Sequence, residues 1–126
     1  MSTAYNEEWR ERVRNRLVED DLFARYADAV DSTVRFDVGE ATWAFTIVED
    51  GTVQTHQNPT YVAWDYALRG SEQTWSKLLA DEPPPPYQDL IGAWFAGDLT
   101  LEGDLESAVR EIRALKRILD VFAAEQ

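Results

Sequence analysis

The stretch GDLTLEGDLESAVREIRALKRILDVFAA, residues 97–124, decides the fold. Its first part alternates, with Leu99 and Leu101 standing between Asp98, Thr100 and Glu102, the two-residue period of a strand with one apolar face. Gly103-Asp104 ends that period and turns the chain. From there Leu105, Ala108, Val109, Ile112, Leu115, Leu119 and Phe122 recur at three- and four-residue steps, opposed by Glu106, Arg110, Arg113 and Arg117. This pattern predicts one continuous amphipathic helix over 104–123. Glu102 and Asp104 sit where negative charge favours the positive end of that helix's dipole.

Working outward, residues 87–96 place Leu90, Ile91, Trp94 and Phe95 at helical spacing, with Gly97 as the stop. The run Pro83-Pro84-Pro85-Pro86 fits neither a helix interior nor a central strand and reads as a stiff surface connector. Before it, Ser71 can cap a short helix over 71–79 that faces inward through Trp75, Leu78 and Leu79. Four alternating segments come earlier, at 32–38, 43–48, 53–57 and 61–68, the second and third joined by an Asp50-Gly51 turn. In the fourth, Val62, Trp64, Tyr66 and Leu68 share one face. Residues 1–30 carry Trp9, Val13 and Leu17 on one helical stripe, and Asp20-Asp21 caps a second helix with Leu22, Phe23 and Tyr26. Strands in hairpin-like succession, flanked by helices, define an α+β fold: a five-stranded, mainly antiparallel sheet covered on one face by helices, with an N-terminal helical segment.

Composition narrows the function. The chain has 126 residues, the length of one domain: an N-terminal helical segment, 1–31, and a core, 32–124. Twenty-four acids against twelve bases give a net charge of −12, which argues against nucleic acid and anionic lipid surfaces as partners. No cysteine is present, so there is no disulfide, thiolate nucleophile or thiolate metal site. No run is long and apolar enough to cross a membrane, and residues 1–12 lack the apolar core of a signal peptide, so a cytoplasmic location is the default.

Several of these segments together resemble the sterol carrier protein 2 family. They are Gly70 with Trp75, Leu78 and Leu79, the Pro-rich gap, the helix ending at Gly97, and Asp98-Leu99-Thr100-Leu101-Glu102-Gly103-Asp104 before the long helix. Trp43-Ala44-Phe45-Thr46-Ile47 with Glu49-Asp50-Gly51 matches that family's strand pair and turn, so the resemblance spans 32–124. It implies an apolar tunnel between sheet and helices that takes sterols, fatty acyl chains or similar molecules. The family shares no catalytic residues, so none is carried over. The C-terminal Ala123-Ala124-Glu125-Gln126 is not the peroxisomal tripeptide of eukaryotic members, and the acidity departs from the basic lipid-transfer members. Binding is therefore better supported than membrane delivery.

The residues expected to wall such a site are Phe45, Trp64, Trp75, Leu79, Trp94, Phe95, Leu101, Leu115, Leu119 and Phe122, with Trp43 and Tyr66 also facing inward. The same rings could equally fill a core. An empty pocket of about 300 Å³ would cost on the order of 7 kcal/mol, comparable to the stability of a small domain. The space must therefore hold water, hold a ligand, or close by side-chain collapse. His56, the only histidine, lies on the most polar strand and lacks co-ligands, so neither a metal nor another cofactor is expected. Asp65 or the adjacent Tyr66 is the acid–base candidate for an enzyme using the same space, but alternation puts Asp65 on the solvent side, and no nucleophile–base pair accompanies either. The arginines of residues 10–16 are expected to pair with neighbouring glutamates. The reading is a non-enzymatic binding module for a hydrophobic small molecule. The alternatives are a small enzyme in the same cavity, or an interaction domain whose Trp9 helix or free sheet edge pairs with another chain, including a homodimer.

Overall fold

The computed structural model describes residues 5–28 and 30–126. Helix α1, Glu7–Val18, starts where the Asn6 side chain accepts the Trp9 N–H at 2.9 Å, and it buries Trp9, Val13 and Leu17. Helix α2, Asp21–Ala27, starts where Asp20 accepts the Phe23 N–H at 2.7 Å. The expected helix pair is present; its parts on residues 1–4 and 29 lie outside the described residues.

Five strands follow: β1 Ser32–Val38, β2 Ala41–Ile47, β3 Val53–His56, β4 Tyr66–Gly70 and β5 Thr100–Gly103. They form one sheet in the order β3-β2-β1-β4-β5, antiparallel throughout except for the β1–β4 pair. The α+β class and the mostly antiparallel five-stranded sheet are as the sequence implies. The hairpin-like succession is not. β4 does not pair with β3 but runs parallel to β1, Val34 opposite Tyr66 and Phe36 opposite Leu68, and a parallel pair requires a crossover. Residues 57–65 supply it.

This crossover shortens the strand expected over 61–68. Asn58 accepts the Thr60 N–H and Pro59 opens a 3₁₀ turn, Pro59–Tyr61, which leaves Tyr61 92 % exposed. The strand forms only where the ladder is regained, after the Asp65 N–H donates to the Thr33 carbonyl at 2.8 Å.

Four helices complete the chain: α3 Glu72–Leu78, α4 Leu90–Phe95, α5 Leu105–Arg110 and α6 Ile112–Ala124. Ser71 caps α3 by accepting the Thr74 N–H, as its position predicts. The long terminal helix is interrupted at Glu111, and its buried stripe is turned from the expected one. Ser107, Ala108, Glu111, Ala114, Leu115, Ile118, Val121 and Phe122 face inward, while Leu105 and Val109 lie on the surface. The cause is Glu111, 6 % exposed, whose two carboxylate oxygens accept the Tyr66 hydroxyl at 2.7 Å and the Ser32 hydroxyl at 2.9 Å. A glutamate drawn inward by two donors from the sheet rotates its neighbours outward.

The inner sheet face carries Val34, Phe36, Trp43, Phe45, Ile47 and Leu68, all essentially without exposure. The opposite face is polar. There Asp37 accepts hydrogen bonds from Arg35 at 3.0 Å, Arg69 at 2.7 Å and Thr42, and Thr46 links Thr33 to His56. Burial would raise the Asp37 carboxyl, but the hydrogen bonds from Thr42, Arg35 and Arg69 hold it below the usual carboxylate range. The α1 arginines do more than pair along their helix. Arg10 donates to Gln57, Arg14 to the Val53 carbonyl, and Arg12 and Arg16 meet Glu125, so α1 is tied to β3 and to the C-terminus. Only Arg12–Glu8, at 3.7 Å, follows the expected helical spacing. Among the described residues no helix is long and apolar enough to cross a membrane, and no cluster of histidine and acidic side chains could hold a metal.

Candidate functional site

Strand alternation on β1 and β2 points Phe36, Trp43 and Phe45 at the helices, and helical spacing returns Trp9, Trp75 and Phe122 from α1, α3 and α6. These rings meet. Phe122 lies 5.1 Å from Phe36 and from Trp9, 5.9 Å from Trp43, 6.3 Å from Phe45 and 6.4 Å from Trp75, centroid to centroid. Tyr5 stacks on Trp43 at 6.0 Å, and the Arg10 guanidinium covers the same indole at 4.9 Å. These separations are those of attractive ring pairs, each worth about 0.5–1.5 kcal/mol beyond burial. Of the three outcomes open to a ligand-sized space, side-chain collapse describes this aromatic layer. Within it the Trp75 and Trp9 indole N–H groups donate to the Asp37 and Glu125 carbonyls, both at 3.0 Å. Trp43 Nε1 and Thr55 Oγ1 are buried without a partner.

Beside the layer a cleft of about 230 Å³ opens between α3, residues 87–90 and α6. Leu78, Tyr87, Leu90 and Leu119 supply its apolar walls, and Lys116 with Asp89, 3.2 Å apart, closes one rim. Helical spacing fixes its relation to the rings: Leu78 lies three residues beyond Trp75 on α3, and Leu119 three before Phe122 on α6. The cleft's outer wall is held lightly, since α4 buries only Leu90 and Ala93. Tyr87 is fixed by its hydroxyl, which donates to Asp98, and by Lys77 at 5.0 Å from its ring. That hydrogen bond to Asp98 holds the Tyr87 hydroxyl above its usual value.

The structure gathers some of the expected wall residues and disperses others. Phe45, Trp75 and Phe122 belong to the aromatic layer; Leu79, Leu101 and Leu115 are buried; Leu119 and Trp94 are half-buried. Two orientations differ from the inward one expected. Trp64 lies 6.0 Å from the guanidinium of Arg35, which the register puts on the polar face of the sheet. Phe95 is 78 % exposed, because α4 starts at the Asp89 cap and turns Leu90 and Ala93 inward instead. Asp65, the acid–base candidate, is exposed and its carboxylate accepts the Thr33 N–H at 2.7 Å, a structural bond. Tyr66 is buried and donates to Glu111; burial first, and then that bond, holds its hydroxyl far above the ordinary range. Of the cleft's apolar walls the sequence reading named Leu119 alone; it missed Leu78, Tyr87 and Leu90, and the signal available for Leu90 was Asp89, whose capping bond sets the register of α4.

An α+β sheet of this order, covered by these helices, is the fold of sterol carrier protein 2. A crystal structure of sterol carrier protein 2 superimposes with a TM-score of 0.72 at 14 % identity, covering 97 % of this chain and 98 % of the other. A conserved hypothetical protein from Thermus thermophilus, described as possibly a sterol carrier protein, gives 0.72 at 13 %, over 96 % of this chain and 88 % of its own. The ubiquinone synthesis protein UbiJ-SCP2 gives 0.60 at 15 %, over 87 % and 86 %. No protein-family model and no curated protein sequence matches the chain.

Proposed function

We propose that this chain binds a hydrophobic small molecule without transforming it, and that the ligand enters at the cleft between α3, residues 87–90 and α6. The observation that carries the reading is that cleft itself: Leu78, Tyr87, Leu90 and Leu119 line it beside Gln88, Asp89, Lys116 and Asp120, with Leu78 and Leu119 each three residues along a helix from Trp75 and Phe122. Support comes from the shared fold, since one protein of that fold is named for carrying sterols.

The cleft's 230 Å³ lies below the usual range of ligand pockets, about 300–1,000 Å³, so it holds only part of a long apolar molecule. The remainder enters by displacing α4 and parting the rings near Phe122, exchanging ring–ring contacts for ring–ligand ones of similar strength. The proposed walls are Phe45, Trp75, Leu79, Leu101, Leu115, Leu119 and Phe122, with Trp94 and Phe95 on the moving α4. Burial of apolar surface at about 25 cal/mol per Å² drives binding, and sparse polar contacts give broad selectivity.

The test is displacement of a fluorescent fatty acid, paired with native mass spectrometry of freshly purified protein. Saturable binding is expected, and Leu119→Asp, on a half-buried side chain, should weaken it about tenfold or more. Absence of saturable binding, or affinity untouched by Leu119→Asp with the fold intact, contradicts the reading.

A further inference from the structure

A second cleft, of about 220 Å³, lies between α2 and the α5–α6 junction, lined by Arg25, Tyr26, Val30, Arg110, Glu111, Arg113 and Ala114. We propose that it is a binding site for a phosphoryl group, held by the guanidinium groups of Arg25, Arg110 and Arg113; the proposal is independent of the hydrophobic-ligand reading.

The charge distribution argues for it. The chain has twice as many acids as bases, yet among the described residues only half of its twelve cations lie within 4 Å of a carboxylate. Arg12, Arg16, Arg35, Arg69, Lys116 and Arg117 all lie within 4 Å of one. Among the described residues the other six have none: Arg10 and Arg14 bond to carbonyl and amide oxygens and Lys77 lies over the Tyr87 ring, whereas Arg25, Arg110 and Arg113 converge on one concavity. Arg110 donates to the Ser107 hydroxyl at 2.9 Å, which in turn donates to Asp104 at 2.6 Å, so Arg110 meets that carboxylate only through the serine.

Helix ends explain only two of the three. Arg25 and Arg110 stand in the last turns of α2 and α5, where the dipole favours a cation. Arg113 stands in the first turn of α6, where the dipole opposes one, and that turn carries no side-chain cap. Glu111, although it lines the cleft, does not serve as the missing counter-ion. It is 6 % exposed, and both its oxygens are taken from the core side by Tyr66 and Ser32. The cleft thus presents three guanidinium groups, each with a planar fork matched to phosphate oxygens, beside Tyr26.

Volume limits the ligand. A site of this size admits a small phosphate ester, or the head of a larger molecule whose remainder lies outside. An adjoining cleft of about 170 Å³ shares Tyr26 and Arg113 and runs along α6 past Leu22, but its Lys116 and Arg117 are already paired with Asp89 and Asp20.

The experiment is an NMR titration of the full chain with glycerol 3-phosphate and, separately, with a short-chain phosphatidic acid below its micelle concentration. Arg25→Gln and Arg113→Gln are run beside Arg12→Gln, a surface control outside the cleft. Saturable shifts at Arg25, Arg110 and Arg113, weakened about tenfold by each cleft variant and unchanged by the control, are expected. Binding of both ligands or of the ester alone assigns a free phosphate ester, and binding of the lipid alone assigns a lipid head; each supports the site. No saturable shift with either ligand, or equal binding by cleft variants and control, overturns it. Because neither variant touches Leu78 or Leu119, fatty-acid displacement reports separately on the other cleft.

Discussion

Asp37 joins three strands from the polar side of the sheet: its own β1, β2 through Thr42, and β4 through Arg69. Its carboxyl is held below the ordinary value, so it contributes stability that is fully present above the unfolded value near 3.9 and is lost as pH falls through the folded one. Asp20, clasped by Arg117 at 2.6 Å, acts in the same direction. Thermal melts should therefore be level near neutrality and fall below about pH 4, and Asp37→Asn should lower the plateau and flatten the fall. An identical acid slope in the variant would show that Asp37 does not carry the linkage. On the inner face, Phe122→Ala should cost about 3–5 kcal/mol in denaturant unfolding, since Phe122 touches five other rings of the layer. At this scale the sequence spoke clearly where a period was present: Trp43, Phe45 and Phe122 were inward by alternation or helical stripe, and they are. Asp37 and Glu111 were not legible as network centres, because their partners Arg69, Tyr66 and Ser32 lie 32 to 79 positions away in the chain.

Elements show where local pattern yields to tertiary demand. The alternation over 61–68 was real, but Asn58-Pro59 fixed a turn and the chain had to cross to the far side of β1, so only Tyr66–Gly70 became a strand. The terminal helix had the right length and amphipathicity, yet one inward glutamate split it and turned its face. Neither event has a local signature. Helix α4 is the element on which the proposed entry depends. A Cβ at Gly92 would collide with the Pro86 carbonyl oxygen, so α4 rests on the proline segment only because residue 92 is glycine. Gly92→Ala should push α4 outward, costing about 1–3 kcal/mol by denaturant unfolding and speeding fluorescent fatty-acid uptake in stopped-flow mixing. Unaltered stability would mean that α4 does not bear on Pro86; slower uptake would mean that it is not the wall that yields.

For the whole molecule, fold and charge make separate statements. The fold places an aromatic layer between sheet and helices, closed upon itself, and a cleft among the helices at Leu78 and Leu119. Against a net charge of −12, three guanidinium groups with no carboxylate within 4 Å among the described residues line one cleft between α2 and the α5–α6 junction. The family resemblance in residues 70–104 made the architecture legible, whereas the cleft walls were not, because they come from three segments whose approach depends on how α4 is seated. The five indole N–H groups provide the most direct test of the binding claim. On titration of ¹⁵N-labelled protein with a long-chain fatty acid, the Trp75 indole and the amides of Leu78, Leu90 and Leu119 should shift along one saturation curve, and the Trp64 indole on the far face should not. Saturable shifts at Trp64 or Tyr61 with Trp75 and Leu119 unmoved, or no saturable shifts at all, would contradict it.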